Sequence, residues 1–188
     1  HKGRVEAVRK LREQYSLPVA LLMDTKGPEI RTGAFSTPKV TLEKGKSFTL
    51  TTEDVVGNDS IVSVSFRQLP QDVTRGARIL IDDGLIELRV DDCTETSLVC
   101  TVVNGGTISA NKGINVPGVR LSLPFLSDKD KEDLRFAVEE DFDFIAASFT
   151  RTAEDIIQMR RELQKYGGNK IRIIAKIENA DGVDNIDS

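Results

Sequence analysis

The sequence predicts an α/β fold interrupted by an all-β module. Three observations carry that prediction. Helical patterns alternate with short apolar strands near both ends of the chain. Between about Ala34 and Gly118 the texture changes to short alternating segments punctuated by turn residues. From Leu121 onward the first texture returns.

The elements follow in order. His1 to Tyr15 reads as a helix, because Val5, Val8 and Leu11 recur at helical spacing. The apolar run Pro18 to Met23 reads as a buried strand. Then come KVTLEKGKSFTLTT, SIVSVSF, ARILIDDGLIELRVDD, SLVCTVVNGG and TISANKGINVPG, separated by Gly45-Lys46, Gly57-Asn58, Asp83-Gly84 and Gly105-Gly106. This pattern predicts a small antiparallel barrel or sandwich. Ser127 with Asp130 predicts a capping box ahead of KEDLRFAVEE. A strand is expected from Phe142 to Phe149. Thr152 with Asp155 predicts the cap of a helix carrying Ile156, Met159 and Leu163, which Gly167-Gly168 ends. The last strand expected is Ile171 to Ile177. The strands of this part are almost continuously apolar, as parallel strands covered on both faces tend to be.

Bulk properties narrow the function classes. A chain of 188 residues holds one domain, or a domain with an insertion. The formal net charge of -4 argues against a dedicated nucleic-acid binder. No apolar run reaches the roughly 18 residues of a membrane span, and no signal peptide is visible. The chain starts at His1, already inside a helical pattern, so a piece of something longer is expected. Cys93 and Cys100 are too few for a disulfide framework or a cysteine-based zinc site, and read as reduced thiols of a cytosolic protein.

Charge collects where the α/β strands end. The first gives Asp24-Thr25-Lys26, the second Ser148-Phe149-Thr150-Arg151, and the third holds Lys176 and Glu178 in IIAKIENADG. Parallel α/β barrels gather their active sites at the C-terminal ends of their strands, so the three clusters are expected to converge. Alternation places Lys176 and Glu178 on one side of the last strand. Such a pair costs desolvation unless compensated. Three readings of it stand open. It can be a structural ion pair, or a metal-ligating carboxylate beside a cation that meets a transferring anion. The third is a lysine that forms a Schiff base, as in barrel aldolases.

Other short patterns carry less. Gly45-Lys46-Ser47 resembles the tail of a P-loop, but the earlier glycine is Val40 here, and a hairpin turn is expected. Asn58-Asp59-Ser60 is a glycosylation sequon in form only. Asp82-Asp83-Gly84 allows a metal site, with a hairpin turn preferred. His1 gives no basis for a catalytic histidine.

The stretches DTKGPEIRTG and IIAKIENADGV resemble the two hallmark segments of pyruvate kinases. IDDGLIEL, NKGINVPG and LPFLSDKDKEDLRFAVEEDFDFIAASF agree with them, so the resemblance runs over the whole chain. It implies a partial (β/α)8 barrel of the TIM type with an inserted β-barrel lid. The divisions expected are 1–33 and 119–188 for the barrel and 34–118 for the insertion. It also implies phosphoryl transfer from phosphoenolpyruvate to ADP, giving pyruvate and ATP. Under it Lys176 is the catalytic lysine and Glu178 a ligand of Mg²⁺ or Mn²⁺. Asp24 and Thr25 belong to a K⁺ site, and Arg31 and Lys112 approach the nucleotide phosphates. Glu29 stands where some members carry lysine and tend not to need a monovalent cation. It therefore implies a K⁺ requirement, unless it is only a solvated loop carboxylate. A cytoplasmic glycolytic homotetramer is the implied setting, with no nucleic-acid or membrane partner. The family's second acidic metal ligand and its substrate-side arginine have no counterpart in this sequence, so the chain by itself is expected to be inactive. A Schiff-base aldolase or lyase using Lys176, and a non-catalytic β-barrel binding module, are the competing readings.

Overall fold

The computed structural model describes residues 1–188. The chain forms two compact units, one of His1–Pro28 with Pro124–Ser188, the other of Glu29–Leu123.

Helix α1 spans Lys2–Tyr15 and stops where Ser16 turns left-handed at φ 51°. Its apolar stripe is weaker than the spacing predicted. Val5 is buried, but Leu11 is 50% exposed. Charge holds the helix instead. Lys2 and Arg9 converge on the buried carboxylate of Glu140 at 3.2 and 3.3 Å, and Arg12 reaches Asp143 at 3.3 Å. Two cations offset the cost of removing one carboxylate from water. Strand β1 is Leu22–Asp24, later and shorter than Pro18 to Met23. The chain from Leu17 to Ala20 is exposed. Asp143 sets the entry point, since its carboxylate accepts from the Leu21 N–H at 2.8 Å.

The second unit holds β2 (Ile30–Arg31), β3 (Val40–Leu42), β4 (Ser47–Thr51), β5 (Ile61–Ser63), the short helix α2 (Leu69–Asp72), β6 (Arg78–Ile81), β7 (Ile86–Cys93), β8 (Ser97–Asn104), β9 (Gly106–Ile108) and β10 (Gly113–Asn115). Seven strands form one sheet in the order β2-β10-β6-β7-β8-β4-β5, and β3 pairs with β9. Pairing is antiparallel except between β4 and β5, so the sheet is mixed. The two outer strands meet again. Thr32 bridges Val64, flanked by Gly33 N–H to the Ser63 carbonyl at 2.8 Å and Ser65 N–H to the Arg31 carbonyl at 2.9 Å. Alternation decides the core. Along β8, Leu98, Cys100 and Val102 are buried, and the residues between them are half-exposed. Phe48, Leu50, Ile79, Ile81 and Leu88 complete its centre. Asp82, Asp83 and Gly84 all have positive φ and make the turn from β6 to β7. The Gly45 turn differs from expectation. It joins β3 to β4, which pair with other strands, and its N–H donates to the Val102 carbonyl at 2.8 Å. It is therefore a crossing turn and not a hairpin. The unit takes in Glu29–Gly33 and Val119–Leu123, outside the 34–118 that the texture marked. Pairing of β2 with β10 explains the earlier start.

The chain then continues as α3 (Asp128–Glu139), β11 (Phe144–Ala147), α4 (Ala153–Lys165), β12 (Arg172–Ala175) and α5 (Ala180–Asp184). Ser127 and Asp130 form the reciprocal capping box of α3. The Thr152 hydroxyl accepts from the Asp155 N–H at the start of α4. Strands β1, β11 and β12 are parallel, with β11 in the middle. Burial on both faces holds only for that middle strand. Ile145 and Ala147 on one face and Ala146 on the other are buried, whereas Leu22 of β1 and Ile174 of β12 are 48% and 44% exposed. An outer strand has a neighbour on one side only, which leaves its side chains less covered. Both later strands are shorter than predicted, because β11 stops before a left-handed Phe149 and β12 stops at Ala175. Lys176 and Glu178 thus leave the end of the sheet and do not stand within it.

Candidate active site

The parallel sheet brings together the polar clusters that follow its three strands. Asp24 ends β1. Ser148 follows β11, and Lys176 follows β12. Register carries them to one place, since Asp24 lies opposite Ala146 and Ala146 opposite Ile174. The Lys176 ammonium sits 3.1 and 3.2 Å from the two carboxylate oxygens of Asp24 and 3.0 Å from the Ser148 hydroxyl. Glu178 Oε1 is 3.4 Å from the same ammonium. Its other oxygen accepts from the Phe149 N–H at 3.0 Å. Two carboxylates therefore flank one cation at the C-terminal edge of the sheet.

The surrounding backbone is built to allow this approach. Gly27 has φ +69°, and a Cβ there would stand 2.5 Å from the Ser148 carbonyl oxygen. Only glycine lets the loop after β1 pass so close to β11. Phe149 is left-handed at φ 55°, an uncommon state for an aromatic residue. That conformation accompanies the N–H that holds Glu178. Asn179 accepts from Gly182 N–H at 2.8 Å and caps α5, which fixes the chain beyond Glu178.

The electrostatics favour a charged lysine. Burial pulls the Lys176 pKa down, but the hydrogen bond it donates to Asp24 and the charges of Glu178 and Asp24 outweigh it. The ammonium is held above the ordinary lysine value. Cys100, by contrast, is pushed up to about 12 by burial and is an inert thiol.

The remaining residues singled out from the sequence divide in two. Thr25 is buried beside the site. Its hydroxyl donates to the Ala146 carbonyl at 3.2 Å and accepts from the Ser148 N–H at 3.3 Å. Glu29, Arg31 and Lys112 belong to the second unit. Glu29 is no solvated loop carboxylate, because its half-buried side chain accepts from Arg31 Nε at 2.8 Å. Arg31 also donates to the Asn111 carbonyl at 2.6 Å, and Lys112 pairs with Asp82 at 2.9 Å. Sequence reasoning missed Ser148 and the Phe149 N–H. Both stood inside a polar cluster, but a serine and a backbone N–H carry no signature of their own.

Nowhere do three or more His, Cys, Asp or Glu side chains cluster closely enough to hold a metal ion by themselves. A hard oxygen donor is nevertheless present in Glu178. Magnesium sites commonly use one or two carboxylates with substrate phosphates and water, so this carboxylate fits such an ion.

Comparison with known proteins shows the family. The family model described as pyruvate kinase, barrel domain, matches residues 1–188. The chain is 47% identical to a pyruvate kinase of Clostridium acetobutylicum, over 100% of this chain and 40% of the relative. It is 42% identical to one from Clostridium perfringens, over 99% of this chain and 40% of the relative. A pyruvate kinase of Sporosarcina psychrophila is 43% identical, over 100% of this chain and 32% of the relative. The chain thus spans at most 40% of the length of these three relatives. Matched from end to end, with an ammonium between two carboxylates at the rim of its parallel sheet, the chain belongs to the pyruvate kinase family.

Proposed function

We propose that this chain contributes the catalytic lysine of a glycolytic phosphotransferase, which moves the phosphoryl group of phosphoenolpyruvate to ADP and yields pyruvate and ATP. The observation that carries the reading is the ammonium of Lys176, kept protonated between Asp24 and Glu178. A fixed cation spreads the charge that builds on a moving phosphoryl group and on the enolate it leaves. The same observation disfavours the imine reading. A Schiff-base lysine needs a neutral amine at work, and its pKa is usually lowered to provide one.

Each residue then has a part. Lys176 stabilises the transferring group. Glu178, oriented by the Phe149 N–H, would hold Mg²⁺ or Mn²⁺. When bound, that ion neutralises phosphate and enolate oxygens. Asp24 and Thr25 would contribute to a K⁺ site. The Thr25 hydroxyl is engaged within the sheet on both sides, so its carbonyl is the oxygen we assign to the ion. In the second unit Arg31 and Lys112 are assigned to nucleotide phosphates. Glu29 adds negative charge where a lysine could replace the monovalent cation, and its pairing with Arg31 couples that charge to a nucleotide contact. We assign the three parallel strands to a (β/α)8 barrel of the TIM type and the unit Glu29–Leu123 to a β-barrel lid inserted in it. The setting proposed is a cytoplasmic homo-oligomer. No helix is long and apolar enough to cross a membrane.

The chain spans at most 40% of the three relatives compared, so the activity is proposed for the complete polypeptide that carries this sequence. The test is pyruvate formation from phosphoenolpyruvate and ADP, assayed with and without Mg²⁺, and with K⁺ replaced by tetramethylammonium. Turnover that needs both ions is expected. Full activity without K⁺ would remove the role given to Asp24, Thr25 and Glu29. Borohydride trapping of a carbonyl substrate on Lys176 would replace the phosphotransferase with an aldolase.

A further inference from the structure

Ser148 is the first residue after β11 and is only 4% exposed. Its surroundings hold it from every side. Its N–H donates to the Thr25 hydroxyl at 3.3 Å. Its carbonyl faces Gly27, where any larger residue would collide with it. The next residue, Phe149, is locked in a left-handed conformation. A non-glycine residue keeps such a state only where its surroundings over-determine it, and such strain gathers at functional sites.

The single hydroxyl proton of Ser148 can be placed. Asp24 is acceptor-only when ionised, so the hydroxyl donates to its Oδ1 at 2.8 Å. The lone pairs of Oγ are then directed to the Lys176 ammonium at 3.0 Å. Lysine carries its charge on a flexible four-carbon stem and is not oriented by shape. Asp24 is itself more than half exposed and sits on the first strand, so it is a loose anchor alone. Glu178 lies further off, at 3.4 Å. The buried hydroxyl is the one rigid contact among the three.

We propose that Ser148 is a positioning residue whose hydroxyl ties Asp24 to Lys176 and fixes where the ammonium stands. The inference rests on the phosphotransferase reading. It makes β11 the reference against which the groups from β1 and β12 are aligned. Ser148 touches no reacting atom in this account and acts only through Lys176.

The test compares Ser148→Ala, Lys176→Met and the double variant in the complete polypeptide, with thermal melts alongside. For Ser148→Ala, kcat is expected to fall about ten- to a hundred-fold. KM for phosphoenolpyruvate is expected to stay within about two-fold, because the contact matters when charge develops. In the Lys176→Met background, Ser148→Ala is expected to cost nothing more, since the group it orients is gone. An unchanged kcat, or an equal loss in both backgrounds, overturns the inference. A crystal structure of Ser148→Ala decides it without any assay. The Lys176 ammonium is expected to move by about 1 Å or more, or to take several positions. An unmoved, single position overturns it. Failure of the phosphotransferase reading would look different, with wild-type polypeptide inactive on phosphoenolpyruvate or Lys176→Met fully active.

Discussion

The two units of this chain solve the burial problem differently. In the β unit, alternating strands close around a core whose largest members, among them Phe48, Leu50, Ile79 and Leu88, are fully buried. The α/β unit has a smaller core, with Leu134, Ile145, Met159 and Leu163 fully buried, but among its strands only the middle one is enclosed. Leu22, Ile174 and Ile177 keep between 38% and 48% of their surface exposed. The candidate chemistry belongs to the less enclosed unit. Lys176, Asp24, Ser148 and Glu178 meet at the ends of strands, where a substrate can approach, and a closed core would bury them at prohibitive cost. The larger core and the candidate chemistry thus belong to different units.

Truncations test this contrast most strongly. Phe48→Ala should destabilise the β unit by about 3–5 kcal/mol, as deletion of a buried aromatic usually does. Ile174→Ala should cost about 1 kcal/mol or less, since nearly half of that side chain already sees water. Amide exchange read separately in each unit checks both. Equal costs would erase the contrast.

The α/β unit has its own tight point at Gly27. Gly27→Ala introduces a left-handed alanine whose Cβ meets the Ser148 carbonyl. A loss of about 2–3 kcal/mol is expected from strain and overlap together. Urea denaturation measures it. A neutral substitution would mean that the loop after β1 is not held against β11.

Smaller effects should come from a helix cap and from a buried carboxylate of α4. Ser127→Ala removes one half of the capping box of α3 and should cost about 1 kcal/mol. Glu162 gives a pH signature. Its hydrogen bond with Lys165 lowers its pKa below the ordinary glutamate value, against burial and with help from Tyr166. Its contribution to stability is therefore complete above the unfolded-state value and disappears as pH falls through the lower folded-state one. Melting curves between neutral and strongly acid pH should lose a small increment in wild type that is absent in Glu162→Gln.

Much of the architecture was legible because local rules were obeyed. Ser127 with Asp130, and Thr152 with Asp155, announced helix starts that the structure contains. Alternation along residues 97–102 announced a half-buried strand. Legibility failed where tertiary contacts override local pattern. Leu11 looked like a core position, but α1 is fastened by Glu140 and Asp143, far away in the chain. The Gly45 turn looked like a hairpin, but strand pairing sends its two flanks to different partners. Lys176 and Glu178 stood out because charge interrupts an apolar run. Ser148 did not, since a buried hydroxyl becomes informative only once its neighbours in space are known.

The central claim is that the rim of the open unit performs phosphoryl transfer through Lys176, and one comparison tests it most directly. Steady-state kinetics of Lys176→Met in the complete polypeptide should give a kcat reduced by about a thousand-fold or more, as when a principal transition-state donor is removed. KM for phosphoenolpyruvate should change little. A folded variant that keeps its turnover and loses only stability would contradict the account, and would make Lys176, Asp24 and Glu178 a structural ion-pair cluster.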